Sequence, residues 1–243
     1  MADGIYVALS GAIAQSMNLD STASNLANAS TDGYQRIRPI FREELARAGT
    51  QEPGMHYASL AGTKLDTTRG DLRRTGQPLD FAMPEGTYLA VSTPRGERYT
   101  RAASLAVGAD GVLQTAHGDT VLSDSGSPIR IGGNGNSVTI DESGQVLSAG
   151  SPSGRVKLVT FTQPAELGRD QGALLVSTTA SGPPNPSKGP LQIGQLEQSN
   201  ANVVSSMTDL VTASRTFEAF QRVIDTFRDE DRKVVTTVPS VSS

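Results

Sequence analysis

The sequence predicts an α+β protein: N- and C-terminal helices packing as a coiled-coil-like terminal domain, with an antiparallel all-β domain in the middle. Two observations predict the helices and one the sheet. Apolar residues recur every three or four positions at both ends of the chain, and the middle alternates with period two between Gly, Asp and Ser turn signals.

The first element is the N-terminal helix and its turn, residues 1–36. Ile5, Leu9, Ala12, Ser16, Leu19, Ala23 and Leu26 follow one another at spacings of 4, 3, 4, 3, 4 and 3, the a/d rhythm of a helix that packs on other helices. The seam is narrow and holds small residues. It lets backbones approach closely but buries little area, and at roughly 25 cal/mol per Å2 of apolar surface such a helix needs several partners. Residues 25–34, NLANASTDGY, close it. Asn28, Ser30 and Thr31 can satisfy helix-end carbonyls and the following amides, Gly33 can take a left-handed backbone, and Tyr34 can anchor the exit. An ordinary helix C-terminus with a convenient glycine is the alternative.

Residues 37–76, through RIRPIFREEL and DTTRGDLRRTG, have mixed polarity and read as an extended connector. Residues 77–180 hold the short β-type runs TYLAVS, ERYTRA, GVLQT, DTVLS, SPIRI, SVTID, GQVLS, RVKLVTF and ALLVS, which argue for an antiparallel β domain. Residues 181–195, opening with SGPPNPSKGP, read as a stiff Pro-rich linker. Residues 196–243 form the C-terminal helix, with Val203, Met207, Leu210, Ala213, Phe217, Phe220, Ile224 and Phe227 recurring every three or four residues. This stripe is either a core helix of an ordinary globule or the partner of the N-terminal one. Helices that enclose a β middle bring both termini to one pole.

Composition removes several functions. With 243 residues and 36% apolar content the chain can build a core, while Gly 25, Pro 13, no Trp and 5% aromatics point to many turns and an elongated shape. A net charge of −4 with no basic stripe argues against nucleic acid. There is no cysteine, hence no disulfide or thiolate chemistry. The first residues lack the basic n-region and apolar core of a secretory signal, and no run approaches the ~18 apolar residues of a membrane span.

The catalytic search is similarly empty. His56 and His117 stand outside any ligand-spaced cluster, and GGNGNS, residues 132–137, lacks the Lys-Ser/Thr ending of a phosphate loop and reads as a hairpin turn. DESG, residues 141–144, pairs acids that a strand would point to opposite faces. No catalytic residue, metal ligand or cofactor-binding residue is expected, and no cofactor.

Two motifs at the chain ends carry a resemblance. Asn25, Leu26, Ala27, Asn28, Thr31, Gly33 and Tyr34 match N-L-A-N-x-x-T-x-G-[YF]-[KR], followed by Gln35 and Arg36 where one basic residue is usual, with Asp32 where proline is common. Leu196, Glu197, Ser199, Asn200 and Val204 match L-E-x-S-N-x-x-x-V, and Arg215, Phe217 and Glu218 match R-x-[YF]-E. Ser206 stands where a glutamate is usual. Between them, GTKLDTTRGDLRRTGQPLDFAM and TPRGERYTRAASLAVGADGVLQT are similar to the middle runs, with Pro84, Glu85 and Gly86 at a common G-x-G and Ala102 and Ala103 in place of a glycine-containing pair. In these motifs the chain resembles the flagellar rod, hook and hook-associated axial family.

The resemblance implies a structural subunit of the bacterial flagellar basal-body rod, self-assembling through its end helices into the drive shaft that passes torque from motor to hook. It implies two assembly surfaces: Ile5, Leu9, Ala12, Leu19, Ala23, Asn25, Leu26, Asn28, Thr31, Gly33 and Tyr34 at the start, and Leu196, Glu197, Ser199, Asn200, Val203, Met207, Leu210, Arg215, Phe217, Phe220 and Ile224 at the end. The implied partners are further copies, other proximal and distal rod subunits and, during secretion, the flagellar type III export apparatus, with no nucleic acid and no membrane span. The implied location is the rod within the periplasm, reached without a cleavable signal. Length, the opening GIYVALSGAIAQ, the ANAST turn and GRVKLVTF resemble the proximal-rod members, with the distal-rod members as the close alternative. Incomplete stripes at both ends would order on assembly, when neighbours offset the backbone entropy of about 1–2 kcal/mol per residue. Two other classes stay open. A coiled-coil adaptor needs charged e/g positions that Gln, Ser and Asn do not provide here, and a β-rich ligand- or partner-binding module needs an aromatic-lined cleft, for which five Tyr, six Phe and no Trp leave few residues.

Overall fold

The computed structural model describes residues 2–46, 55–132 and 138–237, and the chain divides into two compact units. One comprises Met1–Leu26, Ile37–Thr63 and Val203–Ser243; the other comprises Ala27–Arg36 and Lys64–Asn202.

The first unit is built on two helices, α1 (Ala2–Ala27) and α2 (Val203–Thr237). They meet where α1 has no bulk. A Cβ on Gly11 would lie 2.5 Å from the Phe220 ring, so glycine is what admits that ring. One turn on, the Gln15 side-chain amide donates to the Ala213 carbonyl at 3.2 Å. As the contact moves from 11 to 15 on α1 it moves from 220 to 213 on α2, so the helices run antiparallel. On α2, Ser206 and Ala213 are buried and positions 210, 214, 217, 220, 224 and 227 half-buried, so the predicted spacing holds from 210 onward, while Val203 and Met207 are exposed. On α1 the buried positions are Ala8, Ala12, Ala14, Ser21, Thr22 and Asn25, a face rotated from the apolar seam; Ile5, Ser16, Leu19 and Leu26 are half-buried, and Leu9 and Ala23 are exposed. Small side chains take the close contact because backbones approach there, which leaves the larger ones outside. The exposed face of α2 carries a threonine ladder: Thr208, Thr212 and Thr216 donate their hydroxyls to the carbonyls of Val204, Thr208 and Thr212 at 3.1, 2.9 and 2.9 Å.

The expected connector carries regular structure. Strand Ile37–Ala46 pairs with Met55–Leu65, and Leu72–Arg74 pairs with Gln195–Glu197. Polar residues on both faces hid these strands from a period-two reading.

The second unit is a mostly antiparallel β fold. Strand Thr87–Thr93 is its centre: Leu89 pairs with Thr100 on one edge and with Leu158 on the other, and residues 87–91 are all buried. Strands Leu105–Val107, Leu113–Thr115 and Thr120–Val121 extend the sheet beyond one side and Leu175–Val176 and Gly168–Arg169 beyond the other. A separate three-stranded sheet joins Val138–Ile140, Gln145–Ser148 and Ser151–Arg155. Alternation is clear there, since Val138 and Ile140 are buried and Thr139 is exposed. One core, with Phe81, Met83, Leu113, Ile129, Val146 and Val156 among its buried members, fills the unit. The DESG segment is a turn: Asp141 Oδ1 accepts from the Ser143 amide and hydroxyl and the Gln145 amide at 2.9, 2.7 and 2.9 Å. Residues 133–137 of the predicted GGNGNS hairpin lie outside the described residues.

The Pro-rich segment is packed, not free. Asn185–Pro186 pairs with Val159–Thr160, Gln192–Ile193 pairs with Phe81–Ala82, and Leu191 is buried in the core. Proline suits an edge strand, where its missing N–H costs no ladder bond.

Candidate functional site

The two end motifs meet inside the second unit. Turn residues 28–36 begin with two short local bonds, Thr31 N–H to the Asn28 carbonyl at 3.0 Å and Tyr34 N–H to the Thr31 carbonyl at 3.2 Å. The Thr31 hydroxyl adds a local bond to Asn28 Oδ1 at 3.4 Å, and further support comes from far along the chain. Gly33, at φ +70°, donates its amide to the Glu197 carbonyl at 2.7 Å. A Cβ there would lie 2.2 Å from the Ala102 nitrogen, so both the backbone angle and the space require glycine.

Glu197 is the hub. Its carboxylate takes Arg101 Nε at 2.9 Å on each oxygen and also bonds Arg101 Nη2, while Arg101 Nη1 donates to the Thr87 and Pro84 carbonyls at 2.7 and 3.2 Å. Arg101 is 2% exposed and Glu197 3%. A buried ion pair persists when its remaining polar atoms are also satisfied, and here carbonyls take the spare donors. The Gly70 amide adds a bond to Glu197 Oε1 at 3.3 Å.

Asn200 ties three segments. Its Oδ1 accepts the Arg36 amide at 2.7 Å, its Nδ2 donates to the Asp66 and Thr68 carbonyls at 2.8 Å each, and its backbone amide donates to the Tyr34 carbonyl at 3.2 Å. Arg36 Nε reaches Asp66 Oδ2 at 2.6 Å. Burial pushes the Asp66 carboxyl up, but hydrogen bonds from Thr68 and Arg36 outweigh it and hold the group below its usual value. On the other side, the Arg169 guanidinium lies 4.1 Å from the centre of the buried Tyr34 ring and donates to the Gln35 carbonyl. Burial lowers the Arg169 pKa. In the first unit, Asn25 clamps Ile37 like a ladder rung, donating to its carbonyl and accepting its amide at 2.8 Å each.

The sequence-expected residues therefore fall into two sets. Gly33, Tyr34, Leu196 and Glu197 are buried within the chain, with Asn28, Thr31, Ser199 and Asn200 half-buried around them. Leu9, Ala23, Val203, Met207 and Arg215 are exposed on the helices, and Ile5, Leu19, Leu26, Leu210, Phe217, Phe220 and Ile224 are half-buried there, with Ala12 buried. All the large apolar side chains that stand exposed among the described residues are on α1 and α2: Tyr6, Leu9, Ile13 and Met17 on the first, Val203, Val204, Met207, Val211 and Val223 on the second. A groove of about 590 Å3 between the helices is lined by Leu9, Ala12, Ile13, Phe217 and Ile224. Sequence reading did not single out Asp66, Gly70, Arg101 or Arg169. Arg101 and Asp66 stood inside matched motif runs, and a charged residue beside a strand gives no sign of burial until its partner is known.

The junction's hydrogen bonds run mainly to carbonyls and carboxylates, while the buried Arg69 Nε and Nη2 and Arg169 Nε make none. Among the described residues no group of His, Cys, Asp and Glu could hold a metal ion, and no helix is long and apolar enough to cross a membrane. His117 lies exposed in the turn after Leu113–Thr115, and the His56 side chain lies outside the described residues.

Comparisons with known proteins follow the same division. Residues 5–35 match the family model "Flagella basal body rod protein", residues 85–148 "Flagellar hook protein FlgE/F/G D1 domain" and residues 192–237 "Flagellar basal body rod FlgEFG protein C-terminal". The first and last matches contain the two motifs that meet at Gly33 and Glu197. The chain is 34% identical to flagellar basal-body rod protein FlgF of Escherichia coli, covering 94% of this chain and 95% of that one. It is 29% identical to FlgF of Caulobacter vibrioides over 97% of each, and 31% identical to FlgG of the same organism over 91% of this chain and 94% of that one. With end motifs, middle domain and nearly the whole length in common, the chain belongs to the flagellar basal-body rod protein family.

Proposed function

We propose that this chain is a structural subunit of the proximal part of the flagellar rod, which assembles through α1 and α2 into the axial shaft that carries torque from motor to hook. The observation that carries this reading is the distribution of exposed large apolar side chains, which among the described residues lie on the two helices. Contiguous apolar surface on an otherwise polar molecule marks a protein interaction site. Repetition of one head-to-tail contact generates an open helical tube, the form a rod requires. The helices pack on each other through small residues, so neighbouring subunits complete their burial and order them further. The packed β unit, with no large apolar side chain exposed among its described residues, forms the outer, shear-resisting part.

In this reading the assembly surface includes Leu9, Ala23, Val203, Met207 and Arg215, while the buried motif residues Gly33, Tyr34, Leu196 and Glu197 set the shape of the subunit. The partners are further copies and neighbouring rod proteins, reached in the periplasm after type III export, and the chain has no catalytic role. A distal position is the second reading, favoured by the identity with FlgG. The test is motility of cells that carry Ile13→Glu or Met207→Glu as the sole copy. Both side chains are about half exposed, so the monomer is expected to fold and accumulate while rods and swimming are lost. Normal swimming with both variants overturns the reading.

A further inference from the structure

The turn at residues 28–36 contributes few bonds of its own, and its backbone is held by segments that the chain reaches much later. Gly33 N–H goes to Glu197, the Tyr34 carbonyl accepts from Asn200, and Arg36 N–H goes to the Asn200 side chain across a separation of 164 residues. The strand that carries Glu197 and leads to Asn200, Gln195–Glu197, is itself held by Leu72–Arg74, and the Gln198 amide donates to the Asp71 carbonyl at 2.8 Å. By contrast, the buried members of the main core cluster end at Leu191, and the buried Leu196 of the 195–200 segment is not among them.

We propose that residues 195–200 are a latch that makes order at the N-terminal turn conditional on the C-terminal motif: the β core forms without the latch, and the turn does not. The two motifs are coupled sites in one chain, so ordering either one favours ordering the other by the same factor. Two features make the coupling one of position and not of general stability. The Asn200 side-chain contacts are to backbone groups of two separate segments, at Arg36 and at Asp66 and Thr68, so losing them frees main chain without opening the core. The opposite wall of the turn, where Arg169 stacks on Tyr34 and bonds Gln35, is supplied by a different strand, so the turn can be loosened from that side without touching residues 195–200. Because a chain grows from its N-terminus, the turn stays open until residue 200 has been made, and closure signals that the whole β unit is present. This goes beyond the assembly reading: it is a property of the isolated subunit, and its failure leaves the rod assignment standing.

The test is residue-resolved amide hydrogen exchange on the full chain. Asn200→Ala is expected to speed exchange at Arg36 and Gly33 at least about 10-fold while leaving the Ala90 and Leu122 amides, which bond Lys157 and Ala90 across the central sheet, unchanged. Arg169→Met, which acts on the turn from the other side, is expected to speed exchange at the Asn200 amide, again with the central sheet unchanged. An unaltered turn in Asn200→Ala, no response of Asn200 to Arg169→Met, or equal acceleration at Ala90 and Leu122 would each overturn the proposal.

Discussion

Replacing Glu197 with alanine isolates the buried pair at the centre of the junction. The change leaves Arg101, at 2% exposure, with its charge uncompensated and the Thr87, Pro84 and Met83 carbonyls as its remaining acceptors. Removing one partner of a buried ion pair costs about 3–5 kcal/mol, and the three surviving carbonyl bonds place this case at about 3. With a urea dependence of about 2 kcal/mol per molar, the unfolding midpoint should fall by roughly 1.5 M. The chain has no Trp, and three of its five tyrosines, Tyr34, Tyr88 and Tyr99, are buried in the β unit, so tyrosine emission of a chain with Tyr6 and Tyr57 replaced by Phe reports that unit. Replacing both partners by apolar residues, Arg101→Met with Glu197→Leu, should recover most of the loss, since an apolar pair of similar volume is often neutral relative to a buried ion pair. A midpoint shift below about 0.5 M in Glu197→Ala, or a double variant no better than the single one, would refute the view that the pair is desolvated and mutually dependent.

Other consequences can be measured in the same way. Gly70→Ala places a Cβ 2.0 Å from the Gln198 carbonyl and should separate strands 72–74 and 195–197, lowering the urea midpoint, whereas Gly132→Ala meets nothing within 4 Å and should leave it unchanged. Leu113→Ala empties a fully buried site and should cost about 2–5 kcal/mol in the same assay. The Asp66 carboxyl titrates below its usual 3.8, so its ionised form adds stability that is complete above about pH 3.8 and is lost as pH falls through the lower folded value. The midpoint difference between the parent chain and Asp66→Asn should therefore hold at pH 6 and shrink in that acid range, and a difference independent of pH would contradict it. Limited proteolysis of the monomer should remove α2 beyond Val203 while residues 64–202 resist; an equally resistant intact chain would show that the helices already bury each other.

Local rules made the helices, most core strands and the packing role of Phe217, Phe220 and Ile224 legible in the sequence, because 3.6- and two-residue periods are properties of a single segment. The strands at 37–46, 55–65 and 72–74 were not legible: polar and small residues interrupt the alternation of apolar ones along each segment. The Pro-rich segment misled because proline content signals stiffness whether or not a neighbour is present, and its place was decided by Leu191 entering a core formed elsewhere. The junction was legible in part. Gly33 and Tyr34 announced a special turn, but that Glu197 would meet Arg101 and Asn200 would meet Arg36 depends on pairings nearly a hundred residues apart or more, which no local period encodes.

The threonine ladder of α2 has a bearing on how one surface can serve two environments. By composition Thr208, Thr212 and Thr216 are polar, yet each hydroxyl is already spent on the carbonyl one turn back, so the group left facing outward is a methyl. Water loses little by leaving such a face, since no hydroxyl is stranded when a neighbour arrives, and the same face is less adhesive than a row of leucines while it waits. A subunit that must stay dispersed before it is built in, and dry afterwards, can in this way carry a contact surface whose stickiness is held low without any charge having to be removed.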